Sequence, residues 1–295
     1  MSDLKWKDCP VIIPYYGGKY QLSKILVPMI PKHQRYIEVF AGGLSMYMRK
    51  ANAEFSVVND FDNDVANLYH VICEDFDAFK EYCRMIPKSR HLFYNFRLEL
   101  NEKHDISFPD YKRAAKYFYI IMNAFNHNYH CPISKEDNWD TDALDFIHIG
   151  REKLMHTIIE NFDFRELHSR YPVKKGDFWY YDPPYIRAGE RGDYYFHSFN
   201  EDDHRELAEL VRKVDKAGGK FMVSYDDREL VMELYEGFRI KKIPTKNSLF
   251  AWYSSRQVRP VLQRRVFPWR VESFRSPGQT ESWQANRPGR PRRIG

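Results

Sequence analysis

The sequence predicts an α/β fold: an open, mostly parallel sheet with helices on both faces. Three observations lead there. Short apolar runs alternate with helix-length amphipathic runs over residues 36–72, the same alternation returns over 178–244, and a helical stretch of different character, 76–155, separates the two. Strands alternating with helices imply crossover connections, and crossovers lay their helices on the faces of the sheet.

In chain order, YIEVF (36–40) is a short apolar strand ending at Ala41-Gly42-Gly43, and LSMYMRKA (44–51) has helical character. FSVVND (55–60) reads as the second strand. DVANLYHVI (64–72) follows as a helix, because Val65, Leu68, Tyr69 and Ile72 fall on one face. FWYYDPPY (178–185) begins as a strand and ends in a proline turn. DDHRELAELVRKVDKAGG (202–219) is a helix stopped by Gly218 and Gly219; KFMVSY (220–225), DRELVMELYEG (227–237) and FRIKKIP (238–244) then read as strand, helix and strand. The expected organisation is a sheet-bearing core over 1–75 and 156–262, an inserted, mainly helical domain over 76–155, and an Arg-rich tail over 263–295 that is expected to be disordered.

Composition narrows the class of protein. A chain of 295 residues, 43% hydrophobic and 16% aromatic, has enough apolar material for a full core, which argues against general disorder. No apolar run approaches the roughly 18 residues of a membrane span. The start, MSDLKWKDCP, lacks the apolar stretch of a secretory leader, so a cytoplasmic protein is expected. Cys9, Cys73, Cys83 and Cys131 are scattered without a CxxC pair, which fits reduced thiols better than a disulfide framework or a zinc knuckle. The net charge of +5 is misleading, since residues 263–295 hold eight Arg against two Glu. The rest of the chain is slightly acidic, so any nucleic-acid binding must come from a local basic face.

The strongest chemical signal is Asp182-Pro183-Pro184-Tyr185. Two prolines fix two φ angles and remove two N–H donors, giving a stiff turn at the carboxyl end of a strand, where open α/β sheets place ligands. The turn displays a carboxylate, a carbonyl and an aromatic ring. A carboxylate and a carbonyl that each accept one N–H of an exocyclic amine draw that nitrogen towards tetrahedral geometry and free its lone pair. A second signal is Phe40-Ala41-Gly42-Gly43-Leu44-Ser45, which closes one strand and opens a helix, with Asp60 following 18 residues after Gly42. Glycines there permit close approach of backbone to a ligand, and an acid at the end of the next strand suits ribose hydroxyls. Neither GxGxxG nor GxxxxGK[ST] is met, which favours a nucleoside ligand without phosphate. A third signal is Pro14-Tyr15-Tyr16-Gly17-Gly18-Lys19-Tyr20, a glycine turn with a cation able to meet a carboxylate.

In this order and combination, over about residues 11–250, the motifs resemble those of the Dam-type N6-adenine DNA methyltransferases, in a phage-like subgroup. The resemblance implies a Rossmann-like, S-adenosylmethionine (AdoMet)-dependent methyltransferase sheet, with residues 76–155 as a target-recognition domain. It implies that Asp182, Pro183, Pro184 and Tyr185 are catalytic and act on an adenine swung out of duplex DNA. For the cofactor it implies Tyr15 and Lys19, the glycine-loop residues Phe40, Gly42, Gly43 and Ser45, the ribose acid Asp60, the Asp163-Phe164 pair at the cofactor adenine, and Asp182. Leu44 stands where many members carry a third glycine. Members usually close on a short strand carrying a Glu and an Asn, whereas here YSSRQVRPVLQRRVFPWR runs into the tail, which leaves the final sheet strand open.

Within the insert, basic and aromatic residues interleave: Lys88, Arg90, His91, Phe93, Tyr94 and Arg97, then Tyr111, Lys112, Arg113 and Lys116. Arg90, Arg97, Lys112 and Arg113 are candidates for phosphates. Asn123, Asn126, Asn128 and Tyr129 are candidates to read base edges or fill the gap left by the swung-out base. His127, His130 and Cys131 lie close together but lack an evident fourth ligand, and methyl transfer to an amine needs no metal, so none is expected. Alternatives in view are an acceptor that is cytosine N4, RNA or a protein amide, and a DNA-binding relic without catalysis. Asp in the first place of the tetrapeptide leans to adenine.

Overall fold

A computed structural model of the chain describes residues 11–102, 107–135, 139, 144–186, 199–244 and 249–254. The chain divides into two units, 1–261 and 262–295, and every described residue belongs to the first. Cys9 and the Arg-rich tail lie outside the described residues.

Seven strands form one sheet in the order β3-β2-β1-β4-β5-β7-β6. They are β1 (Arg35–Glu38), β2 (Phe55–Asn59), β3 (Ile158–Glu160), β4 (Asp177–Tyr181), β5 (Lys220–Asp226), β6 (Arg239–Pro244) and β7 (Leu249–Ser254). The five from β3 to β5 run parallel, and β7 is antiparallel to both β5 and β6. The chain moves from β1 outward to β2 and β3, then returns to pair β4 with the other side of β1. The order therefore reverses between β1 and β4, and a crevice opens beyond their carboxyl ends.

The helices are α1 (Tyr20–Leu26), α2 (Ser45–Arg49), α3 (Asn63–Glu74), α4 (Phe76–Arg84), α5 (Arg90–Glu102), α6 (Tyr111–Asn123), α7 (Leu144–Leu154), α8 (Phe164–Arg170), α9 (Glu201–Lys216) and α10 (Glu229–Leu234). Strand side chains alternate between faces, so neighbouring residues enter different cores. Tyr36, Phe178 and Tyr180 join a core with helices α1 to α7; Ile37, Trp179 and Tyr181 join a second core with α8, α9 and α10. All five residues of β4 are buried, which is why it reads as an unbroken apolar run.

The helical segment 76–155 shares the first core with the sheet, with α6 packed among α3, α4 and α5. Polar ties reinforce that packing. The Arg113 guanidinium on α6 donates to both Asp64 oxygens on α3, at 2.6 and 2.9 Å, and to the Leu100 carbonyl at 3.0 Å. Asn67 exchanges two hydrogen bonds with the backbone of Asp110, whose own side chain caps α6.

Three elements go beyond the sequence expectation. β3 is a three-residue edge strand and half-exposed, too short for periodicity to reveal. α8 begins at Asp163, whose side chain caps it by accepting from the Arg165 amide at 2.8 Å. The final strand, left open by the unusual terminus, is present as β7: its backbone pairs on both sides, with Met222 to Asp226 of β5 and with Arg239 to Pro244 of β6. A strand laddered on both edges needs no particular Glu or Asn to hold its place.

Candidate active site

The glycine loop leaves β1 in the crevice. A Cβ at Gly43 would lie 2.5 Å from the Ile13 carbonyl oxygen and 3.1 Å from Tyr15 Cβ, and one at Gly42 would lie 3.2 Å from the Tyr15 ring. The two glycines thus make room for the N-terminal segment, which hydrogen-bonds to the loop through the Ile12 amide and Gly43 carbonyl. Leu44 adopts φ +57°, a left-handed conformation that disfavours a side chain by roughly 1–2 kcal/mol. The Leu44 side chain is fully buried, and that burial offsets the strain. Asp60, at the end of β2, accepts from the Gly42 amide at 2.7 Å and from the Asp62 amide at 3.0 Å, so the expected ribose acid also braces the loop. Burial raises its carboxyl above the usual range, against those backbone hydrogen bonds.

The proline turn leaves β4 on the other side of the crevice. Lys19 Nζ stands 2.6 Å from Asp182 Oδ1 and 2.7 Å from Oδ2, donates to the Gly17 carbonyl at 2.7 Å, and lies 4.8 Å from the centre of the Tyr185 ring. Burial raises the Asp182 carboxyl and the Lys19 charge pulls it back. The N-terminal turn and the proline turn therefore meet at one ion pair, while the glycine loop packs against the same N-terminal segment at Ile12, Ile13 and Tyr15.

At the far end, Phe164 is buried and packs with Phe40 and Phe199, at ring-centroid distances of 6.1 and 5.5 Å. Asp163 pairs with Arg165 at 3.1 Å, and Arg165 also pairs with Asp203 and, at 2.6 Å, with Glu206.

Residues of all these segments wall one cavity of about 240 Å³, and every residue expected to be catalytic or to bind cofactor lies on its lining. The lining also holds residues that sequence reasoning did not single out: Glu38, Asp62, Arg165, Phe199 and Asp203. Only Glu38 left a signal, as a lone acid inside an apolar strand just before the glycines. It is 2% exposed, accepts from the Tyr36 hydroxyl at 2.6 Å, and is raised to about 8, chiefly by burial. Six carboxylates line the cavity (Glu38, Asp60, Asp62, Asp163, Asp182 and Asp203) against two cations, Lys19 and Arg165. Burial raises four of these acids (Glu38, Asp60, Asp62 and Asp182), Glu38 and Asp62 to about 8, so the negative charge of the wall grows with pH; an acid-rich wall favours a cationic ligand over a phosphate.

The candidate DNA contacts separate into two groups. Arg90, Lys112 and Asn126 are exposed. Arg113 is corrected: its buried guanidinium is committed to Asp64 and cannot reach a phosphate. Asn123 and Asn128 are buried too; the Asn123 side chain donates to the Tyr119 carbonyl, and that of Asn128 accepts from the His130 amide. The Tyr129 hydroxyl donates to the Arg97 carbonyl and to Asn101, while Arg97 donates to the carbonyls of Tyr129 and Cys131. Arg97, Asn123, Asn128 and Tyr129 thus brace the loop after α6, whose exposed tip is Phe125 and Asn126. Among the described residues no group of three or more His, Cys, Asp or Glu is placed to hold a metal, and no helix is long and apolar enough to cross a membrane.

Comparison with known families decides the class of this site. The profile of the D12 class N6 adenine-specific DNA methyltransferases matches residues 15–249. The chain belongs to that family. Among curated relatives, this methyltransferase is 27% identical over 268 residues to the type II methyltransferase M.MjaIII of Methanocaldococcus jannaschii, covering 80% of this chain and 91% of the relative. It is 27% identical to the retron Ec67 DNA adenine methylase of Escherichia coli (81% and 85% covered), and 22% identical to the DNA adenine methylase of E. coli strain K12 (80% and 88%). The methyltransferase acts on N6 of adenine in DNA, and its family's chemistry implies AdoMet as methyl donor in general.

Proposed function

We propose that the cavity between β1 and β4 holds AdoMet and that the 182–185 turn presents to it an adenine rotated out of duplex DNA. The observation carrying this reading is that the glycine loop and the proline turn, distant in sequence, wall one cavity in which carboxylates outnumber cations. AdoMet carries a positive sulfonium, an ammonium and no phosphate, and when bound it supplies a methyl group activated for transfer.

In this reading Asp60 accepts the ribose hydroxyls, and Asp163 with the Phe40–Phe164–Phe199 cluster receives the cofactor's adenine. Lys19 serves the methionine carboxylate and Glu38 the ammonium. The Asp182 carboxylate and the Pro183 carbonyl each accept one N6–H of the target base, which localises the nitrogen lone pair, and the Tyr185 ring stacks on the base. No covalent intermediate is needed; positioning and fixed charges supply the catalysis. Segment 76–155 acts as the target-recognition domain, with Arg90 and Lys112 at phosphates and the Phe125–Asn126 tip at the bases. Scaffolding of that loop by Arg97, Asn128 and Tyr129 supports a rigid recognition element. The name of the M. jannaschii relative supports a role within restriction–modification.

The test is transfer of tritium from labelled AdoMet to adenine in duplex DNA, with nucleosides separated after digestion. Label is expected in N6-methyladenine, and Asp182→Ala is expected to lower the rate at least about a hundredfold, as removal of a key electrostatic contact does. Transfer that survives the substitution refutes the role given to Asp182, and label in cytosine refutes the acceptor.

A further inference from the structure

Behind Glu38, on the far side of the cavity wall, lies a cluster of titratable groups that the proposed reaction does not use. Glu38 closes β1, and the Tyr36 hydroxyl, two residues back on the same strand, donates to its Oε2 at 2.6 Å. The Lys50 ammonium lies 4.3 Å from the centre of the Tyr36 ring and donates to the Ala51 carbonyl at 2.7 Å. Lys153, from α7, lies 4.8 Å from the Tyr47 ring centre and donates to the Lys50 carbonyl at 2.6 Å. Lys50 and Lys153 are 1% and 5% exposed. Two buried ammonium groups on tyrosine faces are costly without a compensating anion nearby. Glu38 is the anion that acts on both.

We infer that Tyr36 and Lys50 are positioning residues for the cofactor: they fix the orientation of the Glu38 carboxyl on the cavity wall, where it meets the ligand's ammonium group, and favour its charged form against the effect of burial. The inference rests on the reading of the cavity as the AdoMet site. A cation over the face of a phenol draws electron density from the ring and makes its hydroxyl a stronger donor. A strong hydrogen bond to the ionised carboxylate then favours the charged form.

Other groups act on Glu38 from every side. Burial raises it to about 8; the Tyr36 hydrogen bond lowers it, Asp182 at the end of β4 raises it, and Lys50 and Lys153 lower it. Tyr47 on α2, Tyr69 on α3 and Tyr180 on β4 also face it. Burial pulls Lys50 down to about 8 and Lys153 to about 7, with the Glu38 charge opposing the fall. Near neutrality the charge of Glu38 is therefore held back by burial and by Asp182, and favoured from behind by Tyr36, Lys50 and Lys153, which have no place on the lining.

The test is calorimetric binding of S-adenosylhomocysteine to the full chain between pH 6 and 9, for the parent, Tyr36→Phe, Lys50→Met and Glu38→Gln. Parent affinity is expected to rise with pH through a midpoint near 8, where Glu38 ionises. In Tyr36→Phe the midpoint is expected to move up by about one unit, giving about tenfold weaker binding at pH 7 that narrows to about twofold by pH 9. Lys50→Met should move it the same way, and Glu38→Gln should flatten the dependence. A merely structural role would lower affinity by one factor at every pH; that result for Tyr36→Phe, which keeps the ring and the core volume, overturns the inference. A parent that binds with pH-independent affinity overturns it while leaving the AdoMet reading intact. A parent that fails to bind at any pH removes the AdoMet reading and this inference with it.

Discussion

Replacing Arg113 by Met separates a structural role for the insert's central cation from a DNA-binding one. The substitution keeps the stem of the side chain but leaves Asp64, 4% exposed, without its bidentate partner, and leaves the Leu100 carbonyl without a donor. Breaking a buried pair by removing one member costs about 3–5 kcal/mol, because the remaining charge stays desolvated. Against a total stability of about 5–15 kcal/mol that is a large fraction. At about 2–4 °C per kcal/mol for a large domain, the melting temperature should fall by about 6–20 °C. Thermal melts followed by circular dichroism, with and without duplex DNA, measure it. Adding Asp64→Leu should restore most of the loss, since an apolar pair of similar volume removes the stranded charge. A variant that melts with the parent yet binds DNA several-fold more weakly would show that the guanidinium serves a phosphate, and the argument from burial would be wrong.

Two further outcomes follow from the geometry. Gly43→Ala places a methyl group 2.5 Å from the Ile13 carbonyl oxygen and should displace the Tyr15 segment, weakening AdoMet affinity at least about tenfold by calorimetry; unchanged affinity would show that the loop moves freely. Burial lowers His168 and His204 to about 4 from an ordinary 6.5, so both stay neutral in the fold. The unfolded chain takes up those protons first, so their contribution to stability is full above pH 6.5 and is lost as pH falls towards 4. Urea midpoints across that window should decline with acidification, and less steeply in His168→Phe, which keeps an aromatic ring against Trp179, 4.4 Å away in the parent. An equal slope in that variant counts against the assignment.

Most of the sheet is legible in the sequence because its central strands β1, β4 and β5 are buried on both faces and the longer helices show a period. β1, β2, β4, β5 and β6 fall within a residue or two of their apolar runs. What escapes is set by neighbours rather than by local pattern: β3 has three residues and one partner, and β7 is held from both sides by strands distant in chain order. Of the candidate site residues, the proline turn and the glycine loop mark themselves in the sequence by composition, whereas Asp163 and Phe164 are expected only from the resemblance. The candidate DNA contacts are not readable in this way, since Arg113, Asn123 and Asn128 are as polar as surface residues and only tertiary packing shows that they face inward. Glu38 shows the same limit, because an acid in an apolar strand announces a constraint without saying which groups impose it.

Among the described residues, the apolar side chains of helical segment 76–155 belong to the same core cluster as those of the sheet. Grafting the whole segment from a relative with another sequence preference would therefore cut through Tyr36, Val58 and Phe178 and expose mismatched surfaces. A designer seeking new specificity would do better to leave α4 to α7 in place and vary only the exposed tip around Phe125 and Asn126, where a changed side chain disturbs little beneath it.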